Sequence, residues 1–164
     1  MIKILVSQCL YGEKTVRYDG KYRQLDDPVF QKWKEEGRLI PVCPEDSGVL
    51  PVPRPSAERR GDKVINREGA DVTEEYLEGA RDALQTAKQE NAAFALLKEK
   101  SPSCGSRLIY DGSFERVLKE GSGVCAELLR EAGIRVFSEN EIPEAEAYLK
   151  KIPLMRKGGH PRKG

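Results

Sequence analysis

The strongest constraint on this chain is an alternation along its length, in which short runs of β-formers are each followed by a helix signal. Residues 2–6 form such a run, and Leu39-Ile40-Pro41-Val42 forms the next. Between them Asp27 suits an N-cap, Pro28 the first helical position and Gly37 a helix end, with Val29, Phe30 and Trp33 sharing a buried face. The pattern returns at Asp71-Val72-Thr73-Glu74, an expected N-cap with an acid three residues on. Tyr76, Leu77, Ala80, Ala83, Leu84 and Ala87 follow it at helical spacing. Ala92–Leu97 reads as a strand. A helix start near Ser122 carries Val124, Cys125, Leu128 and Leu129 to Gly133, and residues 134–137 read as another strand. Ser138 with Glu141 has the form of a capping box, ahead of a terminal helix over residues 143–151. Strands alternating with helices predict an α/β class, here a Rossmann-like three-layer domain with a mostly parallel sheet and right-handed crossovers.

At 164 residues one core is expected. Residues 1–150 are read as a single domain and 151–164 as a basic tail. Lys150, Lys151, Arg156, Lys157, Arg162 and Lys163 face no acid in this stretch, so at a net charge of +1 the rest of the chain is mildly acidic. Such a tail reads as a solubilising end, and no nucleic-acid partner is expected. No run approaches the roughly 18 apolar residues of a membrane span, and the first apolar run is too short for a signal peptide, so no membrane partner and a cytoplasmic location are expected. Pro51-Val52-Pro53-Arg54-Pro55 predicts an extended segment, while Gly61-Asp62 and Asp111-Gly112 mark turns that close small hairpins.

Three cysteines fall at strand C-terminal ends: Cys9 just past the first strand, Cys43 directly after the second, and Cys104 in the loop after Ala92–Leu97. In open α/β sheets that edge gathers ligand-binding loops, so the three thiols are expected to meet. A disulfide is disfavoured in a reducing compartment. Cys125 fits a buried apolar cysteine on a helix, whereas Cys43-Pro44-Glu45 and Ser101-Pro102-Ser103-Cys104-Gly105 are polar, proline-punctuated loops. A Cys-His dyad is disfavoured because the one histidine, His160, lies in the tail. Structural zinc wants four ligands, commonly in close pairs that are missing here. Iron-sulfur clusters need thiolates alone, and three protein ligands on four irons leave one iron open. Spacing by itself leaves zinc, a cluster and buried thiols all standing.

Seven ordered segments narrow the choice: Ser7-Gln8-Cys9-Leu10-Tyr11-Gly12, Val16-Arg17-Tyr18-Asp19-Gly20, Val42-Cys43-Pro44-Glu45, Leu50-Pro51-Val52-Pro53-Arg54, Leu96-Leu97-Lys98, Ser101-Pro102-Ser103-Cys104-Gly105 and Ile109-Tyr110-Asp111-Gly112. With them the chain resembles the domain of unknown function 523 family, to which thiouracil desulfidase belongs. The resemblance implies a [4Fe-4S] cluster on Cys9, Cys43 and Cys104, with Cys125 outside the ligand set. It also implies a non-redox desulfurase that removes sulfur from thiolated pyrimidine bases such as 2-thiouracil. Glu45, two residues after Cys43, is the acid/base candidate and Ser101 a second catalytic candidate. Arg17, Asp19, Arg54, Lys98 and Ser103 are candidates for the substrate pocket. A small thiolated heterocycle is the expected partner, with the protein a monomer or weak homodimer. The alternative is a non-catalytic iron-sulfur or zinc module that senses redox state or metal. Gly121-Ser122-Gly123-Val124-Cys125-Ala126 matches G-x-G-x-x-A but lies late in the chain, so it reads as a glycine-rich helix start whose N–H groups are available to an anion.

Overall fold

The computed structural model describes residues 1–11, 25–44 and 55–157. Outside them lie the expected site residues Arg17, Asp19, Glu45 and Arg54 and most of the expected extended segment at 51–55, and the side chains of Cys9 and residues 153–157 are likewise undescribed. In chain order the described elements are β1 (Lys3–Ser7), α1 (Gln8–Tyr11), α2 (Pro28–Glu35), β2 (Leu39–Val42), β3 (Ala57–Arg60), β4 (Lys63–Asn66), α3 (Thr73–Gln89), β5 (Ala92–Leu97), β6 (Leu108–Tyr110), β7 (Leu118–Glu120), α4 (Val124–Glu131), β8 (Arg135–Ser138) and α5 (Ile142–Lys157). A single 3-10 turn, Glu139–Glu141, leads into α5. No helix among the described residues is long and apolar enough to cross a membrane.

The four expected parallel strands form one sheet in the order β2-β1-β5-β8. Its middle is the least polar part of the chain, since all six residues of β5 and four of the five in β1 are buried. This suits strands covered on both faces. Successive side chains alternate between two cores. Leu5, Ala95, Leu97 and Val136 face α3 and α4, where Ala80, Ala83, Ala87, Ala126 and Leu129 pack. Ile4, Val6, Phe94, Leu96 and Phe137 face α2 and α5, meeting Phe30, Trp33, Ala145 and Ile152. The architecture is thus the expected three-layer α/β sandwich.

Local signals explain most boundaries. The Asp27 carboxylate accepts from the N–H groups of Val29 (2.9 Å) and Phe30 (3.1 Å), with Pro28 starting α2 and Gly37, at φ +73°, following its end. The Ser138–Glu141 capping box is present, though it caps the short 3-10 turn. Three details differ from expectation. The carboxylate of Asp71 is spent on the N–H and hydroxyl of Thr73, a local turn, so α3 starts with Val72 at its N-cap and no side-chain cap. The terminal helix continues past Lys151 to Lys157. The β6–β7 connection runs over residues 111–117, because buried Glu58 on β3 draws in the N–H groups of Gly112 (2.9 Å) and Phe114 (3.1 Å). The β3–β4 hairpin turns at Gly61-Asp62 as expected.

Phe94 is the hub of the second core, with ring centroids 5.5 Å from Phe137, 5.6 Å from Tyr148 and 6.2 Å from Trp33, all edge-on. Replacing it with alanine leaves a cavity between β5, α2 and α5. Phe94→Ala is expected to lower unfolding free energy by about 4 kcal/mol in urea titration; a loss under about 1 kcal/mol would contradict this packing.

Candidate functional site

The sheet register brings three strand ends level. Ser7 at the end of β1 stands opposite Val42 at the end of β2, and Val6 stands opposite Leu96, one residue before the end of β5. Cys43 follows β2 directly, Cys9 lies on α1 two residues beyond β1, and Cys104 lies in the loop that leaves β5. The chain thus carries its three expected ligand cysteines off adjacent strands at one edge, and α3 and α4 begin at the same edge with their positive dipole ends. Cys43 is half-buried, Cys104 is 6% exposed, and neither is in a disulfide.

The Cys43 and Cys104 arms are held by close backbone contact. Pro44 is buried against α3 at Gly79, where a Cβ would stand 1.6 Å from the Pro44 carbonyl oxygen. A glycine inside a helix costs about 1 kcal/mol relative to alanine, and here it admits the Cys43-Pro44 turn. The Cys104 arm is a serine turn. Ser101 Oγ accepts the N–H groups of Ser103 and Cys104, both at 3.0 Å, and the Gly105 N–H donates to the Ser101 carbonyl at 2.9 Å. The start of α4 clamps this turn from behind. Val124 N–H donates to the Pro102 carbonyl (2.8 Å), while those of Cys125 (2.8 Å) and Ala126 (3.1 Å) donate to the Ser103 carbonyl. The expectation that these amides are available to an anion is therefore corrected: the chain's own carbonyls occupy them. Gly123 permits the clamp, since a Cβ there would lie 2.4 Å from the Ser103 carbonyl carbon and oxygen.

The other candidates divide. Ser103 is fully buried, and among the described residues its hydroxyl has no hydrogen-bond partner, although the residue beside it is Cys104. A buried hydroxyl without a partner costs free energy, which an acceptor within its reach would recover. Ser101 uses its oxygen lone pairs on the loop and keeps its O–H proton. Lys98 extends from the end of β5, where its ammonium pairs with Glu139 at 2.6 Å and its N–H donates to Ser7 Oγ at 2.9 Å. Cys125 lies fully buried in the core with Leu129 and Ala126, and burial pushes its thiol up to about 12. That is an inert thiol, as expected. Cysteines carried to one sheet edge by α1 and by the segments after β2 and β5 offer soft donors, a donor set that suits a thiolate-ligated iron-sulfide group better than a hard-metal site.

Three residues that matter here escaped sequence reading. They are Glu99, flanked in sequence by Lys98 and Lys100, Glu139 in the turn after β8, and Gly79 inside α3. Glu75 adds a further buried carboxylate oxygen without a partner, one turn before Gly79 on α3.

A family model described as 2-thiouracil desulfurase matches residues 4–141. An uncharacterized Bacillus subtilis (strain 168) protein, YbbK, is 43% identical over 149 residues, covering 85% of this chain and 97% of its own. A solved structure described as the [4Fe-4S]-dependent thiouracil desulfidase TudS (DUF523Vcz) superposes with a TM-score of 0.89 at 47% identity, over 92% of this chain and 99% of that one.

Two outcomes follow from the geometry. Gly79→Ala is expected to destabilise by about 1–3 kcal/mol in chemical denaturation, because overpacking against Pro44 outweighs the helix gain; a stabilised variant would mean that Pro44 does not rest there. Under native conditions at pH 8, a thiol reagent is expected to leave Cys125 unmodified until the chain unfolds, as mass spectrometry of the labelled peptides will show. Labelling of Cys125 at the rate of an exposed thiol would contradict its burial.

Proposed function

Since the chain belongs to the 2-thiouracil desulfurase family, we propose that it removes sulfur from thiolated pyrimidine bases such as 2-thiouracil, with a [4Fe-4S] cluster held by Cys9, Cys43 and Cys104. The carrying observation is the level ending of β2, β1 and β5, which delivers one cysteine from each to a single edge. The likeness to a [4Fe-4S]-dependent thiouracil desulfidase supports the same reading. Three protein thiolates leave one iron open. When bound, the cluster would supply a Lewis acid for a thiocarbonyl sulfur, polarising its bond to carbon without net redox change.

The overall reaction balances as a hydrolysis: thiocarbonyl and water become carbonyl and hydrogen sulfide, and no electrons are gained or lost. Both protons of the attacking water must leave its oxygen and end on the departing sulfur. Glu45 is our candidate for that work, as the carboxyl two residues from Cys43. Ser101 orients the water or the heterocycle with its remaining O–H, because its oxygen is already fixed by the Ser103 and Cys104 amides. Ser103 donates its unpartnered hydroxyl inside the pocket. Arg17, Asp19, Arg54 and Lys98 complete the pocket in this reading; a planar guanidinium suits a heterocycle carbonyl. Cysteines in this role also suit a reducing, cytoplasmic setting.

The test is anaerobic reconstitution with iron and sulfide, followed by assay of sulfide released from 2-thiouracil. We expect about four irons per chain, lost in Cys9→Ser, Cys43→Ser and Cys104→Ser and kept in Cys125→Ser. Glu45→Gln is expected to keep its iron and lose about 100-fold or more in turnover. Binding of a single zinc, or iron without sulfide release, would favour the sensor or structural alternative.

A further inference from the structure

The loop that carries Cys104 is organised by a buried carboxylate that the reaction itself does not use. Glu99 is 6% exposed, and no cation pairs with it among the described residues. Its oxygens instead collect main-chain donors from the far side of the loop: the N–H groups of Ser106 (2.7 Å), Arg107 (3.0 Å) and Leu108 (3.1 Å), with the Ser106 hydroxyl at 3.0 Å and the Lys100 N–H at 3.4 Å. Burial works against the charge on this carboxyl, but these donors outweigh it and hold the group below the usual carboxylate range. One side chain at position 99 thus gathers residues 106–108, and Cys104 lies on the arc between.

Neighbouring contacts show how fully that arc is fixed. Lys100 is held at φ +71°, a left-handed conformation rare outside glycine, and its N–H also donates to the Leu108 carbonyl at 3.1 Å. The Glu99 N–H donates to Glu139 Oε1 at 2.8 Å, and Arg107 pairs with Glu141 at 2.8 Å. A Cβ on Gly105 would meet the Ser101 and Leu108 carbonyl oxygens at 2.7 and 2.9 Å, so the arc is closed as tightly as glycine permits. Removing the carboxylate leaves the Ser106, Arg107 and Leu108 amide donors without this acceptor, while Lys100 keeps its bond to the Leu108 carbonyl.

We propose that Glu99 is the positioning residue for Cys104: its carboxylate is the template that closes the Ser101–Leu108 arc and so fixes where the Cys104 sulfur stands. This rests on Cys104 being a cluster ligand, as proposed above. The role is one of hydrogen-bond acceptance, which sets up a sharp comparison. In Glu99→Gln the amide oxygen can still accept the three N–H groups, while the Ser106 hydroxyl turns to accept from the new NH2. In Glu99→Ala no acceptor remains.

The experiment uses two readouts, neither of which is turnover. The first follows loss of visible absorption as reconstituted protein gives up its iron to a chelator. The second follows amide hydrogen exchange at Ser106, Arg107 and Leu108 in the iron-free chain. Glu99→Ala is expected to release iron about tenfold faster or more, the scale of one lost hydrogen bond to a charged group. It should also expose those three amides while β5 stays protected. Glu99→Gln is expected to stay within about threefold of wild type. Should Glu99→Ala fail to fold, Ser106→Ala removes only the hydroxyl donor and is expected to release iron about two- to fivefold faster. The proposal is overturned if Glu99→Ala holds iron like wild type, if its amides stay protected, or if Glu99→Gln behaves like the alanine variant. If wild type itself takes up no iron, it is the cluster reading that fails, and exchange at the three amides still decides whether Glu99 closes the arc.

Discussion

Everything at the proposed site depends on the parallel pairing of β2, β1 and β5. In a parallel sheet all strands end on the same side, and the inter-strand spacing of about 4.8 Å sets how far apart their first loop residues begin. Here the strand ends are level, so cysteines separated by 34 and 61 positions in sequence start from neighbouring points. The hydrophobic burial that orders the sheet is therefore also what carries the three cysteines to one edge. Leu5, Ala95 and Leu97 on one face and Ile4, Val6, Phe94 and Leu96 on the other hold the strands in register. A one-residue slip would exchange those faces and carry a cysteine away from the edge.

Beyond the strand ends, sulfur placement passes to polar main-chain chemistry. The Cys104 arm has a serine hydroxyl on its inside, a carboxylate on its outside and three helix amides behind it. The amides that a helix start leaves without intrahelical partners thus find acceptors in the ligand loop, which satisfies α4 and immobilises the loop in one set of bonds. The Cys43 arm is simpler, a proline carbonyl laid onto Gly79. Glycines at 79, 105 and 123 all mark places where two backbones meet with no room for a methyl group. Rigid placement of this kind suits a centre that must keep one coordination position available to substrate.

The fold was legible because its signals are local and mutually supporting. The four β-former runs became the four sheet strands, and Asp27-Pro28 and Gly37 mark the boundaries they were expected to mark, while the Ser138–Glu141 box caps the short turn that leads into α5. Asp71 misled by one residue because an aspartate two residues before a threonine can satisfy that residue as easily as it caps a helix. At the site, the edge placement of the cysteines was legible from strand order, and the inert role of Cys125 from its apolar helical neighbours. Glu99 was not legible. Its charge suggests solvent, and its burial is possible only because the loop returns three amides to it, a long-range closure that no local pattern announces. Gly79 stayed hidden for the same reason, since its partner is Pro44, 35 residues away.

The most direct test of the central claim is the iron-57 Mössbauer spectrum of the reconstituted chain before and after addition of 2-thiouracil under anaerobic conditions. Three thiolate ligands on a four-iron cluster predict that about one quarter of the signal moves when the thiolated base is added, with the remainder unchanged. A spectrum that ignores the base while the base is bound, or one in which all the iron sites respond alike, would contradict a single open iron supported by Cys9, Cys43 and Cys104.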